Sequence, residues 1–556
     1  MFLDKNQQLD RWVALILVLL TAGRIFLSCT ATLTDLTFRV SDDAFYYYQV
    51  AHNIVSGNGM TFDGINQTNG FHPLWMGILM PVFFIFRGNI EIATRAVLCL
   101  GTLIAGGSFW VAYRAGTGLA GRKAAIIGIS LLFSPLFLNP LVNGLETGLL
   151  ILLLFAMIYL CQQKDLLSLR SGFSKNILLG TVLALIFLCR LDTIFIVLSV
   201  LGLVIVRAVI SFDDANKVRQ LGIKLFQTGM VLVFFCLPYF YWNYSAFGHI
   251  MPISGAIKTT FPTISLGHIS EVMHYSKILA LAEIIFSSAI IIRTIASKNQ
   301  LDEQKPEQAT LSIGSRNDIL LALWVGSIIH FLYTLFFMNW GVQWWHYAAY
   351  GPVAILSAGL VFTRIHLMTN YSPRIFAGAV AIVLTFSFCG LYFDSFMRGE
   401  RNKNWHKAAA WARTSLPENA VIGMHDCGLF GYFCGRTTIN LDGVINGYEY
   451  QMALKNHKLT EYLRKCGITH IADYETIYRE GVRIIKLPAR LYGLPGGAIK
   501  VTPAGEVYRS DPYSDHVSRI KGEPIRFILW DVEKVEIIDD VQTITENSTN
   551  KERKNG

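Results

Sequence analysis

Residues 12–48 read WVALILVLLTAGRIFLSCTATLTDLTFRVSDDAFYYY. The first part, Trp12 to Thr30, carries one charge, Arg24, and is long enough at about 1.5 Å per helical residue to cross a hydrocarbon core of about 30 Å. A retained spanning helix is expected there, because no small-residue cleavage site follows it; a signal peptide is the lesser alternative. Shortly after the run come two adjacent carboxylates, Asp42 and Asp43, at the start of a stretch with helical amphipathic spacing. An apolar span that delivers paired acids to one membrane face sets the expectation for the rest of the chain.

That expectation is repeated along the sequence. Over 556 residues, 53% are hydrophobic and 16% charged, too apolar a balance for a soluble enzyme of this length. Further spans are expected near 92–113, 123–140, 145–162, 175–190, 192–209, 223–242, 272–294, 317–337, 346–363 and 374–394, about eleven in all. The stretch 73–86 is too short for a full crossing and is read as re-entrant or interfacial. With that reading, Arg114, Arg122 and Lys123, then Lys164, Arg170 and Lys175, then Lys217, Arg219 and Lys224 share one side. By the positive-inside rule that side is cytoplasmic. The net charge of +9 is therefore topological and points to no nucleic acid.

The fold class expected is an α-helical polytopic membrane protein with a C-terminal extracytoplasmic α/β domain. Its parts are a membrane domain over 1–395 with a first outside loop at 31–72, an α/β domain over 396–540, and a disordered tail over 541–556. The α/β reading rests on strand-like AVIGMH (420–425), TTINLD (437–442) and THIADY (469–474), between helical stretches near 404–415 and 449–465. The location expected is the inner (plasma) membrane, with the C-terminal domain in the periplasm or outside. Six cysteines lie in or beside apolar runs and act as small hydrophobes. For Cys427 and Cys434 a disulfide and free buried thiols are both open.

The outside segments hold the residues suited to chemistry. The first loop presents Asp42, Asp43, the run Tyr46–Tyr47–Tyr48, and His72 ahead of a proline. Acids at a helix start can serve only as caps. Here the aromatics suit stacking on sugar faces, a carboxylate suits removal of a hydroxyl proton, and a histidine suits a phosphate. Arg190, Lys258 and His346 are expected at the outer membrane edge, where cations are costly unless paired or used. The plain alternatives are an ion pair of Arg190 with Asp192 or Glu146, a helix cap for Glu146, and snorkelling for Lys258. No HExxH, paired CxxC, Walker A or Rossmann glycine pattern occurs. A divalent metal could bind only through Asp42 and Asp43 with a substrate phosphate.

The loop resembles the first outside loop of the GT-C type glycosyltransferases, the group of protein mannosyltransferases, aminoarabinose transferases and arabinofuranosyltransferases. NGLETG (143–148), RLD (190–192), YWNYSAFGHIMPISGAIK (241–258) and QWWHY (343–347) resemble further elements of that group, and DCGLFGYFCGRTTINLDG (426–443) resembles its bacterial members. The chain departs from the pattern at Arg190-Leu191-Asp192, where many relatives have Arg-Pro-Asp or Arg-Pro-Glu, and at His346, where many have arginine. The resemblance implies an inverting hexosyl- or pentosyltransferase using a polyprenyl phosphate sugar as donor. The acceptor would be a glycan, lipid or protein hydroxyl, and reaction would occur on the non-cytoplasmic face of the bilayer. It further implies Asp42 as general base, with Asp43 beside it and Tyr46, His72, Glu146, Arg190, Asp192, Lys258 and His346 around the substrates. The rival from another class is a polytopic lipid or sugar transporter, or flippase, without glycosyl transfer.

Overall fold

The computed structural model describes residues 5–37, 40–169, 171–210, 215–264, 280–288, 318–338, 343–369, 400–475, 482–487, 497–514 and 524–539. The chain is an α-helical polytopic membrane protein whose C-terminal region carries two β-sheets. Its helices are α1 (Lys5–Thr30), α2 (Leu33–Thr37), α3 (Asp42–Val55), α4 (Pro73–Ile85), α5 (Ile90–Ala120), α6 (Arg122–Leu131), α7 (Pro135–Val142) and α8 (Thr147–Lys164). There follow α9 (Phe173–Cys189), α10 (Ile194–Ile210), α11 (Ala215–Phe247), α12 (Ile253–Ala256), α13 (Asp318–Phe337) and α14 (Gly351–Thr369). Among the described residues α1, α5, α8, α11 and α13 are long and apolar enough to cross a membrane. The span expected at 374–394, most of the one at 272–294, the boundary at 395 and the tail over 541–556 lie outside the described residues.

One expected span is corrected. Residues 123–140 do not form one helix: α6 stops at Leu131 and α7 begins at Pro135 behind Ser134. Proline cannot donate to the preceding turn and drives the residue before it out of the helical region. Ser134 is accordingly extended, at φ −65° and ψ 148°. The short segment after the first loop is a helix of 13 residues, about 20 Å long and short of the bilayer core.

Polar contacts set the helix ends. Arg95 on α5 donates to the carbonyls of Ser28, Cys29 and Ala31 at the end of α1, so a cation satisfies the carbonyls that a helix C-terminus leaves open. At the other end of the same helix pair, Asp10 accepts from Arg122 and Tyr113. The membrane helices share one core, in which Tyr113, Leu154, Phe155, Leu183 and Leu323 are fully buried.

In the C-terminal region, β1 (Val421–Met424), β2 (Thr437–Asn440) and β3 (His470–Glu475) are parallel neighbours in the order β2-β1-β3. With β4 (Arg483–Lys486), β5 (Ala498–Val501), β6 (Glu506–Arg509), β7 (Arg526–Asp531) and β8 (Glu536–Ile538), the sheet continues through antiparallel β7 and β6, while β4-β5-β8 form a second sheet. Helices lie at 400–415, α15 (Gly428–Cys434), α16 (Tyr448–Lys455) and α17 (Leu459–Lys465). The expected helix over 449–465 is thus two, broken where His457 takes a positive φ of 54°. Cys427 and Cys434 are free buried thiols.

A second core crosses from the membrane part to this region. Phe45 and Tyr48 of α3 and Phe83 of α4 pack with Tyr432 and Phe433 of α15, and the same cluster reaches Trp405, Phe430 and Phe527. Helix α3 is therefore clamped between the bundle and the C-terminal region, and this clamp positions the site.

Candidate active site

The register of α3 sends Asp42 and Asp43 to different places. Asp42 is buried, and its two carboxylate oxygens accept the backbone N–H groups of Leu429 (2.8 Å) and Gly428 (2.9 Å) at the start of α15. It is a cap supplied from a distant segment, an anion against the positive end of a helix. The approach requires Gly428: a Cβ there would meet the Asp42 carbonyl oxygen at 2.1 Å. Burial pushes the Asp42 carboxyl well above its usual range, opposed by Arg401 and by the Leu429 N–H.

Asp43 is half-buried and accepts no hydrogen bond from any described residue. Burial raises its carboxyl to about 7; Lys258 pulls it down, while Asp426, Asp442 and Glu146 push it further up. A carboxylate with that balance is half ionised near neutrality and can take or return a proton.

Each tyrosine of the run is committed to scaffolding. The Tyr46 hydroxyl donates to Asp442 Oδ2 (3.1 Å) and accepts from the Cys427 N–H (3.1 Å) and Asn440 Nδ2 (3.2 Å). Tyr47 accepts from the His72 N–H at 3.2 Å, and Tyr48 donates to the Gly144 carbonyl at 3.2 Å. All three rings are buried. The sugar-stacking platform expected of them is corrected on this ground: α3 uses them to pin the C-terminal region, the start of α4 and the 143–146 turn.

On the opposite wall, Arg190 Nη1 donates to Glu146 Oε1 at 2.8 Å, while its Nε and Nη2 reach the two oxygens of Asp192 at 3.1 and 2.6 Å. The Arg190 and Glu146 side chains are 4% and 3% exposed, so these are desolvated charges whose pairing is obligatory. Glu146 stands at the N-cap position of α8 without a side-chain capping bond; its partner is Arg190. His72 accepts the Leu191 N–H at Nδ1 (3.4 Å) and sets Nε2 3.8 Å from Glu146. Lys258 follows α12, with Asp43, Arg190, Asp442 and Asp192 as its charged neighbours. His346 donates from Nδ1 to the Gln343 carbonyl at 3.2 Å.

The C-terminal region adds further groups, of which His425, Asp426 and Asp442 stand out in the sequence as polar residues at strand ends and Asp473 does not. In an open α/β sheet, ligands gather beyond the carboxyl ends of parallel strands. His425 and Asp426 follow β1, Asp442 follows β2, and Asp473 lies in β3. Asp442 accepts from the N–H groups of Asp426 and Val444 as well as from Tyr46. His425 Nδ1 is 4.0 Å from Asp473 Oδ2, which Arg483 holds at 3.2 Å, and its Nε2 is buried without a hydrogen-bond partner. Burial works against the charged ring, but Asp473 outweighs it and raises the His425 pKa, with Asp442 and Asp426 assisting. The signal available in the sequence was a polar residue at the end of each of two strand-like runs, at His425–Asp426 and at Asp442.

Among the described residues no three His, Cys, Asp or Glu side chains converge as metal ligands. With both oxygens of Asp42 held by amide donors, the Asp42–Asp43 pair does not fit the bridging role expected of it, and no step is derived through a metal.

Residues 395–513 match a family described as a domain of unknown function (DUF8728). No curated protein matches the chain. Among solved structures, ArnT from Cupriavidus metallidurans bound to undecaprenyl phosphate is 12% identical with a TM-score of 0.51, over 84% of this chain and 93% of that one. The Archaeoglobus fulgidus oligosaccharyltransferase in the apo form is 13% identical with a TM-score of 0.50, over 84% of this chain and 69% of that one. In fold, the chain resembles the polytopic GT-C type glycosyltransferases.

Proposed function

We propose that the chain is an inverting glycosyltransferase that moves a sugar from a polyprenyl phosphate carrier to an acceptor hydroxyl on the non-cytoplasmic face of the membrane, with Asp43 as general base. The observation that carries this reading is the contrast within the acidic pair. Asp42 spends both oxygens on α15, whereas Asp43 accepts no hydrogen bond from a described residue and has a carboxyl near 7 with Lys258 among its charged neighbours. The base implied by family resemblance thus moves one residue along.

In the step proposed, Asp43 accepts the acceptor O–H proton as that oxygen attacks the anomeric carbon from the face opposite the carrier. The bond between the anomeric carbon and the carrier phosphate oxygen breaks, its electron pair leaves with the phosphate, and the anomer inverts. Lys258 offsets the charge that develops on the leaving phosphate. Arg190 already holds two carboxylates, so its part is to fix the wall that carries His72. Undecaprenyl phosphate bound to the ArnT relative supports a carrier of this chemical kind, either hexosyl or pentosyl, with a glycan, lipid or protein as acceptor. The basic loops on the opposite side support a multi-pass plasma-membrane protein with residues 396–540 outside.

The test is turnover of polyprenyl phosphate monosaccharides by the purified chain in nanodiscs, with candidate acceptors, comparing wild type and Asp43→Asn. Transfer or hydrolysis by wild type and loss of about 100- to 10,000-fold in the variant is expected. Vesicle flux of an unmodified sugar lipid without turnover would contradict the proposal.

A further inference from the structure

An open cavity of about 570 Å³ is lined by none of Asp42, Asp43, His72, Glu146, Arg190, Asp192, Lys258 or His346. Four separate stretches build it: the second half of α3 with His52 and Asn53, the loop at Asp63, the residue Arg87 after α4, and the C-terminal region with Arg413 and Arg436. Three guanidinium groups thus face one carboxylate.

The details favour an anion. Asp63 accepts the N–H groups of Ile65 and Asn66 and the Asn66 side-chain amide, neutral donors that leave it as one carboxylate against three guanidinium groups. Arg436 donates to the carbonyls of Arg413, Leu416 and Gly435; these are neutral acceptors, so its charge is not cancelled. The guanidinium groups of Arg87 and Arg413 donate to no described protein group, and Arg87 lies 5.7 Å over the Phe84 ring. His52 adds a buried Nδ1 with no hydrogen-bond partner. Guanidinium forks match phosphate oxygens in shape and charge.

Its position indicates where such a phosphate would come from. Phe84 and Ile85, at the end of apolar α4, are 63% and 69% exposed, a surface suited to acyl chains. Arg87 follows within a turn, where headgroups lie.

We propose that this cavity is a phosphate-binding site at the membrane surface, with Arg87 and Arg413 gripping the phosphate of an anionic ligand beside the helix end at Phe84 and Ile85. The site is independent of the transferase reading, since its readout is binding. The test titrates full-length protein in a non-ionic detergent with dioctanoyl phosphatidylglycerol, glycerol 3-phosphate and dioctanoyl phosphatidylcholine, following binding by calorimetry. Wild type is expected to bind phosphatidylglycerol, with affinity at least about tenfold lower in the Arg87→Gln/Arg413→Gln double variant. The exposed arginines lie outside the cores, so an unchanged melting temperature serves as the folding check; Arg87→Gln alone gives an intermediate affinity. Binding of the lipid but not of glycerol 3-phosphate identifies a lipid headgroup as the source, and equal binding of both supports the site with a soluble phosphorylated ligand. The proposal is overturned if no anionic probe binds, if phosphatidylcholine binds equally well, or if the double variant binds as wild type does.

Discussion

The two charged clusters on either side of Lys258, one around Arg190 and one around Asp43, answer the cost of buried charge in opposite ways. On the membrane-bundle wall, Arg190 is held by Glu146 and Asp192 at hydrogen-bonding distance, and the charges satisfy one another. Around α3 and the strand ends, Asp426 and Asp442 push the Asp43 carboxyl up and Asp426 does the same to Asp442, with Lys258 beside Asp43 and His425 beside Asp442 as the opposing cations. Paired charges make a rigid wall with little left to offer a substrate. A surplus of carboxylates keeps one of them near neutrality, the condition a general base needs. The difference separates scaffold from chemistry more clearly than residue type does.

That separation can be broken in several ways. Arg190→Met strands two carboxylates and is expected to cost about 3–5 kcal/mol of stability, read by thermal unfolding in detergent, with part recovered by adding Glu146→Gln. An Arg190→Met protein as stable as wild type but inactive would move Arg190 to the chemical wall. Asp42→Asn keeps one acceptor for α15 and loses the charge, so a loss of about 1–2 kcal/mol is expected in the same assay. The smallest effect is a displacement along the pH axis. Wild-type turnover should rise with pH as Asp43 ionises at about 7. Lys258→Met removes a cation that favours the carboxylate, so the acid limb should move to higher pH; movement to lower pH would contradict the pairing.

Much of this was legible in the sequence because it is local. Apolar runs gave most of the helices, and the proximity in sequence of Arg190 and Asp192 made their ion pair one of the open readings; the break at Ser134-Pro135 was missed, because the apolar run over 123–140 continues through it. The division of labour between Asp42 and Asp43 was not legible. It depends on Gly428, far along the chain, arriving close enough for its N–H to reach Asp42. The same holds for His425, just after β1, and Asp473 on the neighbouring parallel strand β3, and for the arginine cavity, assembled from four stretches. Composition reports which residues carry charge; only tertiary register reports which charges are already spent.

The most direct measurement is therefore a side-by-side transfer assay of Asp42→Asn and Asp43→Asn, both folded, at a temperature below either melting transition and with saturating polyprenyl phosphate sugar. Turnover near wild type for Asp42→Asn and about 100- to 10,000-fold lower for Asp43→Asn is the predicted result. The reverse order, with Asp42→Asn inactive and Asp43→Asn near wild type, would contradict the account.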